Sequence, residues 1–346
     1  MPVFGHAEFH DHEQVVYCRD AAAGLSAIIA IHNTNLGPAL GGCRMWPYAD
    51  EAAALDDVLR LSRGMTYKAA IADLALGGGK AVVLADSKRD KTEALLRAFG
   101  RAVERLGGRY ITAEDVGTTV PDMDIIRQVT RHVSGTTSDA GNPSPSTAHG
   151  VLIGMQAAAA HAFGSDDLTG RRIAIQGLGG VGHALCRYLK EARARLIVTD
   201  VSTAAIDRAV RDFGAEAVAP ETIYEAEADI FAPCALGGVI NDKTLPRLKA
   251  PVIAGSANNQ LAEDRHGRAL LERGILYAPD YVINAGGLID VARPVMGMDI
   301  EAARVKLRKI YGTLLDIFRR SAAERLPTNV IADRMAEARF LAVRRT

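Results

Sequence analysis

The second half of the chain alternates short apolar runs with amphipathic stretches, and this alternation limits the possible folds more than any other feature. Five runs have the composition of buried strands: RRIAIQG, ARLIVTD, ADIFAPC, APVIAGS and GILYAPD. In stretches between them, such as HALCRYLKEA and TAAIDRAVRDFG, apolar residues recur every three or four positions. Strands that are apolar throughout and alternate with helices predict a parallel sheet covered on both faces.

A glycine-rich turn follows the first of these runs. Gly177-Leu178-Gly179-Gly180-Val181-Gly182 fits the pattern G-x-G-x-x-G, comes after the expected strand at 172–176 and begins a helix that ends near Glu191. The glycines allow a tight turn and close backbone approach, and the helix N-terminus faces the pyrophosphate of a dinucleotide. The sequence therefore predicts a dinucleotide site. The alternative is a glycine-rich turn in a flavodoxin-like sheet that binds another nucleotide or nothing.

Asp200 ends the second run and indicates which dinucleotide binds. An acid at this position after the glycines hydrogen-bonds the ribose hydroxyls of the adenosine. Its carboxylate also repels the 2′-phosphate of NADP, so we expect NAD as the cofactor.

The first half of the chain is less regular and predicts a separate domain. It mixes strands, LSAIIAIH and KAVVLAD, with helices, of which the clearest extends from about Glu51 to Lys68 with Asp50 as its N-cap. A stretch rich in Gly, Pro and Ser at 139–150 separates the halves. We expect this stretch to be a linker that cannot continue a helix, with the domain boundary near Ala140.

The predicted fold is α/β with two domains and a cleft between them. Residues 1–138, joined by a C-terminal helix at about 327–346, are expected to form a substrate-binding and oligomerisation domain with a mixed sheet. Residues 139–326 are expected to form a Rossmann-like NAD-binding domain. A length of 346 residues agrees with two domains.

Charge and cysteine content argue against several classes of function. Lys plus Arg and Asp plus Glu both number 41, so no net charge favours nucleic acid or an anionic membrane, and we expect a small-molecule partner. Four scattered cysteines without a CxxC pair indicate reduced thiols in the cytoplasm. We expect neither a signal peptide nor a membrane span, because the chain lacks the basic and apolar regions that these need.

The N-terminal segment contains His10, Asp11 and His12, which together could suggest a metal site. A solvated segment is the expected alternative, and no metal is predicted.

Two lysines and one aspartate of the first half are candidates for chemistry. Lys80 lies between three glycines and a buried strand, and burial near a second cation favours the neutral amine that can act as a base. Lys68 lies at the edge of the apolar stripe of the predicted helix, and Asp115 follows a predicted strand. Spacing alone leaves ordinary alternatives open: a surface charge for each lysine, and a cap or turn acid for Asp115.

Seven segments spread over the chain resemble the glutamate/leucine/phenylalanine/valine dehydrogenase family, and most closely its leucine-type members. They occur in the order and spacing of the family and cover essentially the whole chain. The segments are GPALGGCRMWPY (37–48), RLSRGMTYK (60–68), LGGGKAVV (76–83), ITAEDVGT (111–118), GNPSPSTAHG (141–150), DIFAPCALGG (229–238) and YAPDYVINAGG (277–287).

The resemblance implies a role for each candidate. Lys68 would bind the substrate α-carboxylate, Lys80 would be the general base that activates water, and Asp115 would shuttle a proton to and from the substrate amino group. The hydride would go to the nicotinamide of NAD. The family positions near the nicotinamide are Thr147, Asn258 and Asn284, and Asn284 also lies beside the substrate. For Thr147 and Asn258, ordinary turn or strand-end chemistry stays open as the alternative.

The positions that match the substrate side-chain pocket of the family are apolar. Glutamate dehydrogenases carry a lysine and a serine where Leu40 and Val291 stand in this chain. A carboxylate against these two side chains would lose its hydration without a partner, so glutamate is not the expected substrate. Ala113 favours an aliphatic side chain, because phenylalanine-preferring relatives tend to have glycine there. The other expected substrate contacts are Gly41 and Met65. Leu40 and Val291 could alternatively be plain core residues.

The sequence thus predicts an NAD-dependent amino-acid dehydrogenase that converts leucine, isoleucine or valine reversibly to the 2-oxo acid and ammonium. The resemblance implies a homo-oligomer, often an octamer in leucine-type members. A phenylalanine- or tryptophan-preferring enzyme on the same scaffold is the first alternative. A catalytically silent NAD-binding protein is the second, and its signature would be the loss of Lys80 or Asp115.

Overall fold

The computed structural model describes residues 3–139 and 142–343, and the chain forms two compact units. The first unit comprises the described residues within Met1–Asn142, Asp290–Ile300 and Ala336–Thr346. The second comprises Pro143–Ile289 and Glu301–Met335.

This division differs from the predicted domain limits in two places. Asp290–Ile300 belongs to the first unit, and the hydroxyl of Ser134 holds it there by donating to the carbonyl of Val291 at 2.6 Å. The C-terminal helix joins the first unit only from Ala336 onward. The boundary expected near Ala140 lies outside the described residues.

The first unit contains a mixed five-stranded sheet, as predicted. Its strand order is β1-β2-β4-β3-β5, in which β1 and β4 run antiparallel to β2 while β3 runs parallel to β4 and β5. The strands are β1 (Gln14–Asp20), β2 (Leu25–Asn33), β3 (Ala39–Trp46), β4 (Gly77–Leu84) and β5 (Tyr110–Glu114).

Helices cover both faces of this sheet. The helices are α1 (Glu51–Ile71), α2 (Glu93–Glu104) and α3 (Val120–Arg127). Helix α1 begins where the sequence predicts, because the Asp50 carboxylate accepts a hydrogen bond from the amide of Ala53 at 2.8 Å. Its apolar stripe packs on β2 and β4, where Val58, Leu59 and Val82 are fully buried. Burial of each such side chain contributes roughly 1.5–3 kcal/mol.

The second unit contains the predicted parallel sheet, with six strands. Its order is β11-β10-β9-β6-β7-β8, which is the standard Rossmann order, and neighbouring strands in this sheet are parallel. The strands are β6 (Arg172–Gln176), β7 (Arg195–Thr199), β8 (Glu216–Ala217), β9 (Ile230–Pro233), β10 (Val252–Ile253) and β11 (Leu276–Tyr277). The chain order reverses between β6 and β9, and ligands of such sheets bind outside the carboxyl ends of the strands at that point.

The remaining helices belong mainly to the second unit. They are α4 (Ser144–Phe163), α5 (Gly180–Glu191), α6 (Thr203–Phe213), α7 (Arg265–Glu272), α8 (Asp280–Ile283), α9 (Gly286–Val295), α10 (Ile300–Glu324) and α11 (Thr328–Phe340). Within the described ranges, each helix is too short or too polar to span a lipid bilayer.

The expectation of a linker over 139–150 is wrong in its second half, because α4 begins at Ser144. Pro145 lies in the first helical turn, where a residue without an amide proton costs no hydrogen bond. Thr147 is therefore a helical residue, and its hydroxyl donates to the carbonyl of Pro143 at 3.0 Å. Pro294 occupies the last turn of α9, which ends one residue later.

The end of the chain completes the first unit. The guanidinium of Arg339 donates from Nη1 to the carbonyls of Ala70 and Ile71, at 2.8 Å each, at the C-terminal end of α1. The carbonyl of Ala70 also accepts from the amide of Asp73 at 3.0 Å, so Arg339 adds a side-chain cap to the last turn of the helix. The side-chain amide of Asn35 donates from Nδ2 to the carbonyl of Phe340 at 3.0 Å.

The N-terminal segment is not simply solvated, which corrects the expectation for His12. Its side chain is buried, and its Nε2 lies 3.0 Å from both the carbonyl of Leu59 and the hydroxyl of Ser62 on α1. The ring packs edge-on against the ring of His32, with centroids 4.8 Å apart. His12 is thus part of the core beneath α1.

Candidate active site

Three neighbouring strands of the first unit bring Lys80, Arg44 and Asp115 together. Lys80 lies on β4, Arg44 on β3, and Asp115 directly follows β5. The Nζ of Lys80 lies 3.1 Å from Oδ2 of Asp115, and the Nε of Arg44 lies 2.9 Å from the same oxygen. The side chain of Lys80 is 6% exposed, so this ion pair is largely removed from water.

Local backbone features hold Asp115 in this position. A Cβ at Gly42 on β3 would come within 2.8 Å of the Cβ of Asp115, so the absence of a side chain there lets the carboxylate approach the strand. The hydroxyl of Thr118 accepts from the amide of Asp115 and donates to the carbonyl of Cys43, both at 2.9 Å. Asp115 therefore sits in a turn that is tied to β3.

Electrostatics favour the ionised form of Asp115. Burial of the carboxyl would raise its pKa, but the charges of Lys80 and Arg44 outweigh burial, and the pKa of Asp115 is lowered. An ionised carboxylate next to a buried ammonium can accept a proton from a substrate that enters the site.

Lys68 is carried by α1 close to the strand that carries Lys80. At Gly78 on β4, a Cβ would overlap the backbone nitrogen of Thr66 on α1, so helix and strand are in close contact at this point. Lys68 follows Thr66 by two positions and is half-buried, and Lys80 follows Gly78 by two positions. The glycines before Lys80 lie within β4, and Gly78 allows the close helix–strand packing.

Four of the predicted pocket residues lie on β3, β5 or α1, the elements around the pair of Lys80 and Asp115. Leu40 is 1% exposed on β3, and a Cβ at the adjacent Gly41 would lie 3.4 Å from Cγ of Met65 on α1. Ala113 on β5 pairs with Gly42. The fifth residue, Val291, is 8% exposed; Ser134 donates to its carbonyl, and the amide of Ser134 donates to Thr112 next to Ala113.

In the second unit, the glycine turn (Gly177–Gly182) lies at the carboxyl end of β6, as predicted. Gly177 has φ +102°, a conformation that favours glycine, and a Cβ at Gly182 would overlap the carbonyl oxygen of Gly177. At Gly179, by contrast, a Cβ would meet no atom within 4 Å. Gly179 is also the N-cap of α5 and provides no side-chain cap, so amides of the first turn face an open cradle.

Asp200 closes one side of this cradle. Its Oδ2 accepts from the amide of Leu178 in the glycine turn at 2.6 Å, and its Oδ1 accepts from the amide of Ser202 at 2.8 Å. A carboxylate oxygen can accept a further hydrogen bond. The geometry therefore leaves Asp200 able to bind ribose hydroxyls while it shapes the turn.

Asn284 and Asn258 lie together in the second unit. The Nδ2 of Asn284 donates to Oδ1 of Asn258 at 2.7 Å and to the carbonyl of Ser256 at 3.0 Å. The Oδ1 of Asn284 is buried and makes no hydrogen bond to the described residues. A buried acceptor without a partner costs free energy, so this atom fits a ligand that donates an N–H, such as a carboxamide.

Contacts at the start of α4 connect Thr147 to the same region. A Cβ at Gly287 would lie 2.5 Å from the hydroxyl of Thr147, and a Cβ at Gly180 would lie 2.8 Å from the hydroxyl of Ser144. The N-termini of α4, α5 and α9 thus meet closely. The open cradle, Asp200 and the unpartnered Asn284 oxygen together fit a dinucleotide.

Some residues around these sites were missed by sequence reasoning. Arg44 and Asp57 form an ion pair at 2.8 Å next to Asp115, and their spacing carries no recognisable pattern. Val201 and Leu236 are apolar yet 96% and 82% exposed, and follow β7 and β9 on either side of the glycine turn. The available signal for Val201 and Leu236 was an apolar residue two or three positions after the end of a strand.

One further cluster could suggest a metal. Asp242, Glu263 and His266 place ligand atoms within 4.8 Å of one another. Arg265, however, donates to Asp242 at 2.8 Å and to Glu263 at 2.9 Å. The guanidinium already neutralises the carboxylates that a cation would need, so this cluster is an ion-pair network.

Comparison with known proteins agrees with both units. The profile of the Glu/Leu/Phe/Val dehydrogenase dimerisation domain matches residues 12–132, and that of glutamate/leucine/phenylalanine/valine dehydrogenase matches residues 199–297. The chain belongs to this family of amino-acid dehydrogenases, which confirms the resemblance inferred from the seven segments.

Relatives with different substrates in their names are all similar to the chain. Leucine dehydrogenase of Geobacillus stearothermophilus is 57% identical over 348 residues, which cover 100% of this chain and 95% of the relative. Phenylalanine dehydrogenase of Lysinibacillus sphaericus is 48% identical, with 94% and 88% covered. The crystal structure of L-tryptophan dehydrogenase from Nostoc punctiforme has a TM-score of 0.85 at 48% identity, with 97% of each chain covered.

Proposed function

We propose that this protein is an NAD-dependent dehydrogenase that oxidatively and reversibly deaminates a branched-chain L-amino acid to the 2-oxo acid and ammonium. The observation that carries the proposal is the buried pair of Lys80 and Asp115, 3.1 Å apart, in a sheet whose adjacent Leu40 is 1% exposed. A proton acceptor, a base and an apolar neighbour are the groups that this reaction needs at one place.

The proposed roles follow from the charges of the three residues. The ammonium of Lys68 binds the α-carboxylate and so fixes the orientation of the Cα–H bond. The ionised Asp115 takes a proton from the α-ammonium of the substrate, which frees the nitrogen lone pair that must form the C=N bond. Lys80 gives up its own proton to solvent before the oxidation; after Cα has lost its hydride, the resulting neutral amine takes a proton from the water that attacks Cα. Asp115 then returns its proton to the nitrogen, and ammonia leaves while the hydroxyl of the carbinolamine gives its proton to water and becomes the 2-oxo group.

NAD accepts the hydride when it is bound. The residues that would hold it belong to the second unit. Amides at the start of α5 bind the pyrophosphate, and Asp200 binds the adenosine ribose. The exposed side chains of Val201 and Leu236 provide apolar surface on both sides of the glycine turn, which suits an adenine ring. Oδ1 of Asn284 accepts from the carboxamide of the nicotinamide.

Replacement of Asp200 by glycine is expected to weaken NAD binding and to reduce the preference for NAD over NADP. A hydrogen bond to a charged group contributes about 1.5–3 kcal/mol, so the dissociation constant of NAD should rise about ten- to a hundredfold. Fluorescence titration with NADH and NADPH measures both constants.

Asp200→Asn is the matched variant, since it removes the charge but keeps an acceptor for the amide of Leu178. This variant should gain NADP affinity with a smaller loss of NAD affinity, because the repulsion of the 2′-phosphate is gone. An unchanged ratio of the two affinities in both variants would place the ribose contact elsewhere.

The substrate is tested by a panel of amino acids. Initial rates of NADH formation are measured with leucine, isoleucine, valine, phenylalanine, tryptophan and glutamate. We expect the highest kcat/KM with the three branched-chain amino acids and no useful turnover of glutamate, because Leu40 and Val291 offer no partner for a second carboxylate. A rate with glutamate equal to that with leucine would contradict the proposal.

An aromatic substrate is the second candidate. It is favoured by the similarity to the tryptophan and phenylalanine dehydrogenases at 48% identity. Small differences in pocket volume decide between leucine and phenylalanine, and each methyl group contributes about 1–3 kcal/mol to this discrimination. A clear preference for phenylalanine or tryptophan in the panel would replace the branched-chain assignment and leave the chemistry unchanged.

We also propose that the enzyme acts in the cytoplasm as a homo-oligomer. The proposal on compartment is supported by the four cysteines, all of which are free thiols. The octamer rests on resemblance to leucine-type members, and light scattering of the purified protein tests it.

A further inference from the structure

The Asp115 carboxylate is one end of a chain of alternating charges that leads from the sheet to helix α1. Arg44 binds Oδ2 of Asp115 through Nε at 2.9 Å and Oδ2 of Asp57 through Nη1 at 2.8 Å. Asp57 on α1 also accepts from the hydroxyl of Tyr48 at 2.6 Å and from Arg60 at 3.0 Å. One guanidinium therefore serves two carboxylates.

The inner members of this chain are shielded from water. The side chains of Arg44, Asp57 and Asp115 are 22%, 13% and 22% exposed, whereas that of Arg60 is 51% exposed. Charges in such surroundings interact more strongly than surface charges, and loss of one partner leaves the other uncompensated. The guanidinium also has a fixed planar geometry, so each contact restricts the direction of the other.

Helix α1 thus contributes both to the proposed binding of the substrate carboxylate and to the ion pairs around Asp115. It carries Lys68, the proposed carboxylate anchor, and it carries Asp57, which holds Arg44. Arg44 is in turn the second cation on the oxygen of Asp115 that Lys80 contacts.

We propose that Arg44 is a positioning residue for Asp115, and that Asp57 governs how strongly the guanidinium binds the Asp115 carboxylate by holding its other edge. The inference rests on the proposed role of Asp115 as the proton acceptor for the substrate amino group. With Arg44 in place, Asp115 keeps its orientation and its charge until the substrate ammonium arrives. Asp57 draws part of the guanidinium charge away and so leaves the carboxylate basic enough to take a proton.

The charged and titratable groups that act on Asp115 come from all the elements packed around it. They are Lys80 on β4, Cys43 and Arg44 on β3, Tyr48 after β3, Tyr110 and Glu114 on β5, and Asp57 on α1 through Arg44. Of the side chains in direct contact with the carboxylate, Lys80 and Arg44 carry positive charge.

The proposal predicts different results for two variants that break the same ion pair. Arg44→Gln removes a cation from Asp115, so the pKa of Asp115 should rise above that in the wild type. Asp57→Asn leaves the whole guanidinium to Asp115, so the pKa of Asp115 should stay as low as in the wild type or fall further. An ion pair that only stabilises the fold predicts the same order of pKa values, but without the loss of kcat in folded Arg44→Gln that is described below.

The measurement is a pH titration of the full-length protein with ¹³C-labelled aspartate carboxyl groups, in which Asp115→Asn assigns the Asp115 signal. We expect a new titration of Asp115, at higher pH than in the wild type, in Arg44→Gln only; in Asp57→Asn the residue should titrate at the wild-type pH or lower. Arg60→Gln is the matched control, because Arg60 contacts Asp57 but not Asp115. Absence of the new titration in Arg44→Gln, or its presence in Asp57→Asn, would overturn the proposal.

If Arg44→Gln alone does not fold, the double variant Arg44→Gln/Asp57→Asn removes both charges and leaves no unpaired carboxylate on α1. It should show the same titration of Asp115. Kinetics add an independent readout: Arg44→Gln should lower kcat at least about tenfold with little change in KM, and Arg44→Lys should recover part of kcat.

The experiments distinguish a failure of the proposed function from a failure of the inference about Arg44. A wild-type protein without amino-acid oxidation would contradict the proposed function, while the titration would still decide the role of Arg44. An active wild type, together with the wild-type titration in Arg44→Gln, would contradict the inference alone.

Discussion

Lys80→Ala is expected to reduce kcat for oxidative deamination by about 10²–10⁴-fold and to leave NAD affinity within about twofold of the wild type. The amine is the proposed base for the attacking water, and its side chain is 6% exposed beside Asp115. No other described side chain takes its place on Oδ2 of Asp115 except Arg44, which cannot act as a base because it keeps its proton. Steady-state NADH formation measures kcat, and fluorescence titration measures NAD affinity.

Lys91→Ala is the matched control for this variant. Lys91 forms an ion pair with Asp122 at 2.7 Å in the same unit, and its side chain is partly buried at 22% exposure. Loss of this pair should lower stability but leave kcat within about threefold of the wild type, because partly buried pairs of this kind act mainly on folding. Near-normal turnover in Lys80→Ala would refute the role of Lys80, and an equal loss in both variants would show that stability is the cause.

The second large effect concerns stability in mild acid. Burial lowers the pKa of His12 from 6.5 to about 4 and the pKa of His32 to about 3, so both are neutral in the folded protein at pH values where the unfolded chain binds protons. Their contribution to stability is complete above about pH 6.5 and is lost as the pH falls toward the folded pKa values. The loss should reach about 3 kcal/mol for His12 alone, since each pKa unit is worth about 1.4 kcal/mol.

Urea unfolding at pH 7.5, 6 and 5 measures this dependence. His12→Gln should flatten the decline of the unfolding free energy between pH 7.5 and 5, because it removes one of the two buried imidazoles. His10→Gln is the control, since His10 is an exposed residue of the same segment. If the wild type were equally stable at pH 7.5 and 5, or if His10→Gln flattened the decline as strongly, the histidine pair would not be responsible.

Local patterns were sufficient to predict several elements of the fold, mainly those of the second half. The apolar runs of the second half correspond to β6, β7, β9, β10 and β11, and the glycine turn lies at the end of β6. Helix α1 begins after the predicted cap at Asp50. These features depend on residues close in sequence, so periodicity and cap chemistry are enough to find them.

Contacts between segments that lie far apart in the sequence were harder to predict. Arg44 and Asp115 are adjacent only because β3 pairs with β5, and Asp57 approaches them only because α1 packs over β3 and β4. Neither spacing nor residue type encodes such pairings. The burial of His12 was missed for the same reason, since its partners Leu59 and Ser62 lie on α1.

The error at 139–150 has a different cause. The prolines and glycines of this stretch predict a segment without a helix, but Pro145 occupies the first turn of α4, where proline is well tolerated. A proline therefore limits where a helix starts more than whether it forms.

The cap that Arg339 supplies to α1 has a consequence for biosynthesis. Ala70 and Ile71 accept hydrogen bonds from Arg339, a residue that is translated after Met335, where the last segment of the second unit ends. A nascent chain that has already exposed β1–β5 still lacks this stretch, and it also lacks the Asp290–Ile300 segment of the same unit. The unit that carries Lys80 consequently matures after translation of the second unit, and not before it, as domain-by-domain folding from the N-terminus would have it.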